Sequence, residues 1–293
     1  MLDSAQTLFI GVDGGGTGCR AAVGTLSDGV LAQADGGRAN VASDTELAIE
    51  NILETVYAAA EKAGIPRDTL HKAKAHLGLA GVMTSHDSAR VASDMPFETT
   101  VVTDDRSTAV TGALGGQDGF LLSVGTGTIA AASTAGTFQY VGGWGFHVAD
   151  QASGAWLGRA ALERVLLCKD GVVEHTDLTH ELFAKFDDDA NAISTFSVSA
   201  KPGDYGTFAP DIVTGARAGD PWGVSIMTQG AEHLVGSLRA LGFKTGDTLC
   251  LSGGLGPHYA AYLPPESLGA RINSCGNALD GAFQLAKSLG ALR

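Results

Sequence analysis

Apolar and polar residues follow two periods along the chain, and the two periods predict different elements. Short apolar runs bounded by glycine or aspartate predict strands, whereas apolar residues three and four positions apart predict helices. Strands are expected at residues 7–13, 17–23, 31–35, 75–80, 99–103, 120–124, 128–133 and 248–251. Helices are expected after a capping box at 43–46, at 84–94, 109–114 and 151–167, twice within 177–197, from 220 onwards, and at 278–289.

The opening of the chain is repeated in its second half. Residues 9–23 and 120–133 share one order: an apolar strand, a glycine turn, a threonine, and a strand of small residues. A single repeat at this distance predicts two domains of one fold rather than a solenoid. The pair Gly115–Gly116 marks the boundary, which gives domains 1–114 and 115–293, the last helix being free to pack back on the first domain.

Charge and cysteine content narrow the classes of function. The 293 residues include 19 basic and 32 acidic side chains, a net charge of −13 without any Lys/Arg run, which argues against nucleic-acid binding. Four scattered cysteines without a C-x-x-C pair predict free thiols rather than a zinc site, an iron–sulfur site or disulfides. No apolar run reaches the ~18 residues of a membrane helix, and no basic residue precedes Arg20, so a cytoplasmic protein is expected.

Three glycine turns each follow a predicted strand, at 13–17, 125–128 and 252–256. One such turn is typical of hairpins, but three predict backbone amides gathered around a polyphosphate. The chain has no Gly-Lys dipeptide for a P-loop, and Cys19 stands where a dinucleotide fingerprint needs its third glycine. A hairpin that holds phosphate between two strands remains. Asp13 is then either a turn-initiating residue or a Mg²⁺ ligand acting through water.

The segments Asp13-Gly-Gly-Gly-Thr17, Gly125-Thr-Gly127 and Ser252-Gly-Gly-Leu-Gly256 resemble the two phosphate segments and the adenosine segment of the actin-like ATPase superfamily. Over essentially its whole length the chain resembles the BadF/BadG/BcrA/BcrD ATPase family, and within it the glucosamine and N-acetylglucosamine kinases. Gly142-Gly-Trp-Gly145 and the stretch from Asp150 to Gly154 match further family motifs, although Ala152 stands where the family usually has glycine. The resemblance implies an α/β fold of two actin-like ATPase (ribonuclease H-like) domains, each a mixed sheet flanked by helices, with an interdomain cleft.

The same resemblance implies ATP and Mg²⁺ as cofactors, an amino sugar as substrate, and a homodimer. It assigns ATP binding to Gly14, Gly15, Gly16, Thr17, Gly125, Thr126, Gly127, Ala216, Gly253 and Gly254, and sugar binding to Asn40, Asp104, Gly143, Trp144, Gly145 and Asp150. Mg²⁺ would be held by Asp13 through water. A sugar hydroxyl must lose its proton to a base within hydrogen-bond reach, and Asp104 is the expected catalytic residue.

Structural alternatives stand beside these roles. Asp104 or Asp105 is expected to cap the helix that follows, and Asp105 fits the cap better. Asp150 is a sugar ligand or the cap of a helix from Gln151, and Trp144 is an apolar wall for the sugar or a core residue.

Glucosamine is the favoured substrate because residues 201–208 are similar to those of bacterial glucosamine kinases, and N-acetylglucosamine is the alternative. Two other classes remain: an activator ATPase with a bridging iron–sulfur cluster, against which the scattered cysteines argue, and a non-catalytic sugar sensor.

Overall fold

The computed structural model describes residues 7–290, which form ten strands and eleven α-helices. The strands are β1 (Leu8–Gly14), β2 (Cys19–Thr25), β3 (Gly29–Gly36), β4 (Lys74–Leu79), β5 (Thr99–Asp104), β6 (Gly119–Val124), β7 (Thr128–Thr134), β8 (Thr137–Gly142), β9 (Leu249–Ser252) and β10 (Arg271–Ile272). The helices are α1 (Thr45–Lys62), α2 (Ser85–Ser93), α3 (Asp105–Leu114), α4 (Gly154–Lys169), α5 (Asp177–Ala184), α6 (Ala190–Ser199), α7 (Pro202–Gly206), α8 (Ala209–Ala218), α9 (Pro221–Ala240), α10 (Gly256–Tyr259) and α11 (Ala278–Ser288). Among the helices described, none is long and apolar enough to cross a membrane.

The chain divides into two compact units. Of the described residues, unit 1 contains 7–117 and 274–290, and unit 2 contains Asp118–Asn273. The sheet of unit 1 has the order β3-β2-β1-β4-β5, and that of unit 2 has the order β8-β7-β6-β9-β10. In both sheets the first three strands in chain order are antiparallel neighbours and the other two run parallel to the first. The two sheets therefore share one topology, which confirms the predicted α/β class and its pair of mixed sheets.

Apolar side chains cover both faces of the sheet in unit 1. Ile10, Val12 and Leu77 pack with residues of α1 in one cluster, and Phe9 and Ala22 pack with α11 in another. Helix α11, the last described element, thus belongs to the core of unit 1. Its contact with α3 is close enough that a Cβ on Gly281 would collide with the backbone of α3 at Thr108 and Gly112.

In unit 2 one large apolar cluster joins the sheet to helices α4, α5, α8 and α9. Leu122 and Leu251 of the sheet lie in it together with Leu157, Ile212 and Leu234, all of them buried. Helix α9 begins as predicted at Pro221, where Asp220 accepts hydrogen bonds from the backbone N–H groups of the first turn. This packed layer carries the segments of unit 2 described below.

The structure corrects several predicted elements. The cap of α1 is Asp44, which accepts from the N–H of Leu47, and not the predicted box from Ser43 to Glu46. The sequence patterns predicted no element for α7, β8 or α8. The acidic run at 187–189 contains a helix cap, because Asp189 accepts from the N–H of Asn191 at the start of α6.

Candidate active site

In unit 1 the predicted phosphate turn and the predicted base lie at the same edge of one sheet. Asp13 and Gly14 end β1, and the parallel register sets Gly14 beside Leu79 of β4 and Leu79 beside Asp104 of β5. Since neighbouring strands lie about 4.8 Å apart, the backbones of Gly14 and Asp104 are separated by about 10 Å across this edge. Parallel strands of an α/β sheet present their carboxyl ends to ligands in this way.

The turn between β1 and β2 is held by backbone hydrogen bonds on both sides. The N–H of Gly15 donates to the carbonyl of Gly18 over 2.9 Å, and the carbonyl of Gly15 accepts from Ala39 over 2.9 Å. Gly16 and Thr17 at its tip are exposed. The turn is thus fixed by its neighbours and presents its tip to solvent.

Each of two carboxylates at this edge is paired with an arginine. Asp13 accepts from Arg20 of β2 over 2.6 Å, and its side chain is 20% exposed. Asp104 accepts from the backbone N–H of Arg106 over 2.9 Å and from the guanidinium of the same residue over 2.7 Å. The cap of α3 is therefore Asp104, and the expectation that Asp105 fits the cap better was wrong. Asp104 has an extended backbone (ψ 160°), which lets its carboxylate turn back to the first helical N–H groups, whereas Asp105 is already helical.

Asp105 lies in an acidic, partly buried position. Burial raises the pKa of its carboxyl, and the negative charges of Asp104 and, less strongly, Asp13 raise it further. A cation bound near Asp105 would offset the negative charges of Asp104 and Asp13 that act on it. No set of three or more His, Cys, Asp or Glu residues within 7–290 could hold a metal ion by itself, so such a cation would also need oxygen ligands from phosphate or water.

Asn40 follows β3 and lines a cavity of about 240 Å³ together with Gly16, Arg38 and Ser43. Its side-chain oxygen accepts from the N–H of Ser43 over 3.1 Å and lies against Gly81, where a Cβ would come within 2.5 Å of it. Gly81 also has a φ of +84°, so glycine is required there both by conformation and by space. The predicted sugar-binding asparagine is therefore fixed beside the phosphate turn of unit 1.

In unit 2 the second predicted phosphate turn is held by backbone hydrogen bonds in the same way as the first. The N–H of Gly125 donates to the carbonyl of Gly127 over 2.9 Å, and the carbonyl of Gly125 accepts from Gly154, the first residue of α4, over 2.7 Å. Thr126 and Gly127 are exposed at its tip, as Gly16 and Thr17 are in unit 1.

The third glycine loop packs behind this turn. Gly253 has a φ of +77°, and the N–H of Leu255 donates to the carbonyl of Val124 over 2.9 Å. Gly125, Thr126 and Gly254 line one cavity of about 630 Å³. Ala216, in contrast, is buried against Gly223 of α9, and its neighbour Arg217 lines the cavity.

The segment before α4 is strained. Asp150 and Ala152 have φ values of +61° and +72°, in the left-handed region that favours glycine. A helix cannot begin at Gln151 between two such residues, so the predicted cap role of Asp150 was wrong, and Ser153 caps α4 by accepting from the N–H of Trp156. The hydroxyl of the buried Tyr259 donates to the carbonyl of Ala152 over 2.7 Å and holds this segment.

Asp150 itself lies against the second phosphate turn. A Cβ on Gly127 would come within 3.0 Å of its Oδ2, and its Oδ1 is a buried atom without a hydrogen-bond partner among residues 7–290. Of the other predicted sugar ligands, Gly143 and Gly145 have φ values of +74° and +92°, and Trp144 between them is 79% exposed. Trp144 is thus no core residue. Oδ1 of Asp150 is a buried acceptor that no donor of the described residues satisfies.

Several residues of these sites were not found from the sequence. Arg20, Arg217 and Tyr259 stand in ordinary strand or helix patterns, and only the fold brings them to Asp13, the cavity and Ala152. For the strain at Ala152 a signal existed, because the resembling family usually has glycine at that position.

Comparisons with known proteins agree with the resemblance seen in the sequence. The sequence model of the BadF/BadG/BcrA/BcrD ATPase family matches residues 10–263. The glucosamine kinase GspK of Vibrio cholerae is 31% identical over 279 residues, which are 95% of this chain and 95% of that protein. The predicted family resemblance is thereby confirmed.

Solved structures show the same fold. A candidate N-acetylglucosamine kinase from Chromobacterium violaceum is 31% identical, with a TM-score of 0.79 over 97% of this chain and 100% of the other. A glucokinase of the ROK family from Streptomyces griseus is 17% identical, with a TM-score of 0.53 over 96% of this chain and 99% of the other. The second likeness concerns the fold alone.

Proposed function

The chain belongs to the BadF/BadG/BcrA/BcrD ATPase family, and on that premise we propose that it transfers the γ-phosphoryl group of ATP to the 6-hydroxyl of glucosamine. The whole-length similarity to the Vibrio cholerae glucosamine kinase supports an amino-sugar kinase. Among the observations on this molecule, one carries the proposal: Asp104 ends β5 at the same sheet edge as the turn from Gly14 to Thr17. A carboxylate and the turn to which we assign phosphate binding therefore belong to one sheet.

Phosphoryl transfer requires the protein mainly to position its reactants and to stabilise charge. In the proposed reaction the backbone amides of the turn from Gly14 to Thr17 bind phosphate oxygens. Asp104 accepts the proton of the 6-hydroxyl as that oxygen attacks the γ-phosphorus, and the bond from the γ-phosphorus to the β-phosphate oxygen breaks to release ADP. Arg106 binds both oxygens of Asp104 and so fixes the plane of the carboxylate. Each carboxylate oxygen has a second lone pair, so Asp104 can still accept a proton.

Asp13 and Asp105 are the residues that would hold Mg²⁺ in this reaction. Burial and the charge of Asp104 raise the pKa of Asp105, and a cation bound nearby would lower it again. When bound, Mg²⁺ neutralises charge on the phosphate oxygens. Arg20 pairs with Asp13 and limits the negative charge that this edge carries without the metal.

As the family resemblance implies, we assign sugar binding to Asn40 in unit 1 and to Asp150 and the exposed Trp144 in unit 2. The unpaired Oδ1 of Asp150 favours a ligand that brings a donor to it, and the ammonium group of glucosamine is a charged donor. An acetamido group is neutral and gains less from a carboxylate. This difference is our reason to prefer glucosamine.

N-acetylglucosamine is the second candidate substrate. The observation in its favour is the likeness to the Chromobacterium violaceum protein, which has the same identity to this chain as the Vibrio cholerae enzyme. The activator ATPase is disfavoured, because its cluster needs cysteines at a subunit interface, and Cys19, Cys168 and Cys250 are buried.

The test is release of ADP in a coupled assay with glucosamine, N-acetylglucosamine, N-acetylmuramic acid or glucose as the second substrate. We expect glucosamine to give the highest kcat/KM. Loss of a general base lowers kcat by about 10²–10⁴-fold, and Asp104→Asn is expected to show this loss while it still binds ATP in a calorimetric titration.

Asp189→Asn is the matched control, because Asp189 also caps a helix, and asparagine caps as well as aspartate. Release of ADP that no sugar stimulates would refute the kinase, and full activity of Asp104→Asn would remove Asp104 from the role of base.

A further inference from the structure

The cavity of unit 2 has two ends that differ in chemistry. One end is the second phosphate turn, where Gly125 and Thr126 lie beside the start of α8: a Cβ on Gly154 would contact both the carbonyl of Gly125 and the side chain of Ala209. Helix α8 then runs along the cavity, which Ala209, Val213 and Arg217 line in succession. At a rise of 1.5 Å per residue, Arg217 is about 12 Å further along the helix than Ala209.

At the second end, Arg217 meets His258, which lies on α10 just after the third glycine loop. The guanidinium of Arg217 is 2.7 Å from Nδ1 of His258. Because a guanidinium only donates, Nδ1 must accept, and the proton of the neutral ring is on Nε2. Burial and the charge of Arg217 both lower the pKa of His258, in agreement with a neutral ring. Both members of the pair thus offer N–H groups to a ligand.

The other side chains that line the cavity carry no group that would distinguish one purine from the other. None of the residues that line it within the described part of the chain is Asp, Glu, Asn or Gln. The hydroxyls of Thr207 and Thr214 already donate to the carbonyls of Asp204 and Pro210. Side-chain selection between adenine and guanine needs an acceptor for the N–H groups of guanine or a paired acceptor and donor for adenine, as amides and carboxylates provide.

We propose that the Arg217–His258 pair binds the nucleobase of the phosphoryl donor, and that this end of the cavity accepts adenine and guanine alike. The proposal rests on the proposed function for the placement of the triphosphate at the turn from Gly125 to Gly127. The planar guanidinium stacks on the base, and its free N–H groups and the Nε2–H of His258 donate to ring nitrogens or to the oxygen of guanine. Arg217 is exposed, so the base lies at the solvent-open rim of the cavity.

Steady-state kinetics at saturating amino sugar, with ATP or GTP as the donor, test the choice of base. The expected kcat/KM for GTP is within about tenfold of that for ATP, which corresponds to less than 1.4 kcal/mol of discrimination. If kcat/KM for ATP exceeds that for GTP by more than about tenfold, this end of the cavity does not accept adenine and guanine alike.

The role of Arg217 is tested separately with Arg217→Ala. A charged hydrogen bond and a stacking partner are lost, so KM for both nucleotides should rise by about tenfold or more, while KM for the sugar stays within twofold. Arg217→Lys keeps the charge but has no planar guanidinium, so its KM for both nucleotides should lie between those of the wild-type protein and Arg217→Ala. Arg239→Ala is the control, because Arg239 is an exposed arginine in the last turn of another helix of unit 2. If Arg217→Ala behaves as Arg239→Ala does, Arg217 does not bind the base.

Calorimetric titration with ADP separates this inference from the proposed function. If no sugar stimulates ADP release but ADP binds, and Arg217→Ala weakens that binding, the proposed kinase fails and the inference stands. If the kinase is active and Arg217→Ala leaves the affinity for ADP unchanged, the inference fails and the kinase stands.

Discussion

Replacement of Tyr259 by phenylalanine removes one hydroxyl from the interior of unit 2 and leaves the ring in place. That hydroxyl donates over 2.7 Å to the carbonyl of Ala152, and the side chain of Tyr259 is fully buried. Burial raises the pKa of the phenol, so it remains a donor over the whole working range of pH. Tyr259→Phe therefore tests whether this bond holds the strained segment from Asp150 to Ala152.

The expected loss follows from what the variant leaves behind. A net hydrogen bond contributes about 1 kcal/mol, and a buried carbonyl left without its donor costs about 1–3 kcal/mol in total. We expect the free energy of unfolding to fall by about 2 kcal/mol. For a domain of 150–250 residues this corresponds to a fall in Tm of about 4–8 °C.

The consequence for binding comes from the backbone of the same segment. Asp150 and Ala152 stand at positive φ, and a left-handed residue other than glycine costs about 1–2 kcal/mol. Without the bond from Tyr259 the segment can relax, and Asp150 leaves its place beside Gly127. KM for the amino sugar should rise several-fold, with a smaller change in KM for ATP.

The assay is urea unfolding followed by circular dichroism, together with steady-state kinetics. Tyr57→Phe is the matched control, because Tyr57 is half-buried in α1 of unit 1, and the loss of its hydroxyl should change the free energy of unfolding by less than about 0.5 kcal/mol. If Tyr259→Phe is as stable as Tyr57→Phe and its KM for the sugar is unchanged, the bond from Tyr259 does not hold the segment.

Three further changes test other parts of the account. The pKa of Asp105 is raised, so above pH 3.8 the folded state keeps a proton that the unfolded chain has released, and the wild-type protein loses stability as the pH rises. Asp105→Asn should remove this loss. Urea unfolding from pH 3.5 to 7 measures the free energy of unfolding of both proteins, and the same pH dependence in both would contradict the prediction. Burial lowers the pKa of His76 to about 4, so between pH 4 and 6.5 only the unfolded chain binds this proton, and the free energy of unfolding rises with pH. His76→Gln should make this rise smaller. An unchanged rise would exclude His76 as its source. Gly127→Ala places a methyl group 3.0 Å from Oδ2 of Asp150 and should raise KM for the sugar. Gly236→Ala, which adds a methyl group in open space, should leave KM unchanged. Equal KM values for the two variants would show that the position of Asp150 does not depend on the turn at Gly127.

The sequence predicted the parts of this protein that depend on short-range patterns. The two hairpins with their glycine turns, the start of α9 at Pro221 and the repeat between the halves follow from residues that are neighbours in the chain. Strand β8 and helix α8 were not predicted.

Contacts between distant residues were beyond prediction. The pairs Arg217–His258 and Tyr259–Ala152 join residues 41 and 107 positions apart in the chain. No local sequence pattern predicts either contact. The caps were misjudged for a different reason. Asp104 and Asp105 are chemically equal candidates, and only the backbone dihedral angles decide which carboxylate reaches the first N–H groups of α3.

The central claim is that this chain phosphorylates an amino sugar at its 6-hydroxyl. The most direct measurement is ¹H–³¹P correlation NMR of the product formed from ATP and glucosamine by the wild-type protein, with Asp104→Asn alongside. We expect a phosphorus signal that correlates with the two protons on C6, and at equal enzyme concentration and time a signal at least about a hundredfold weaker with Asp104→Asn. Correlation with the proton on any other carbon of the sugar, or inorganic phosphate as the only new phosphorus species, would contradict it.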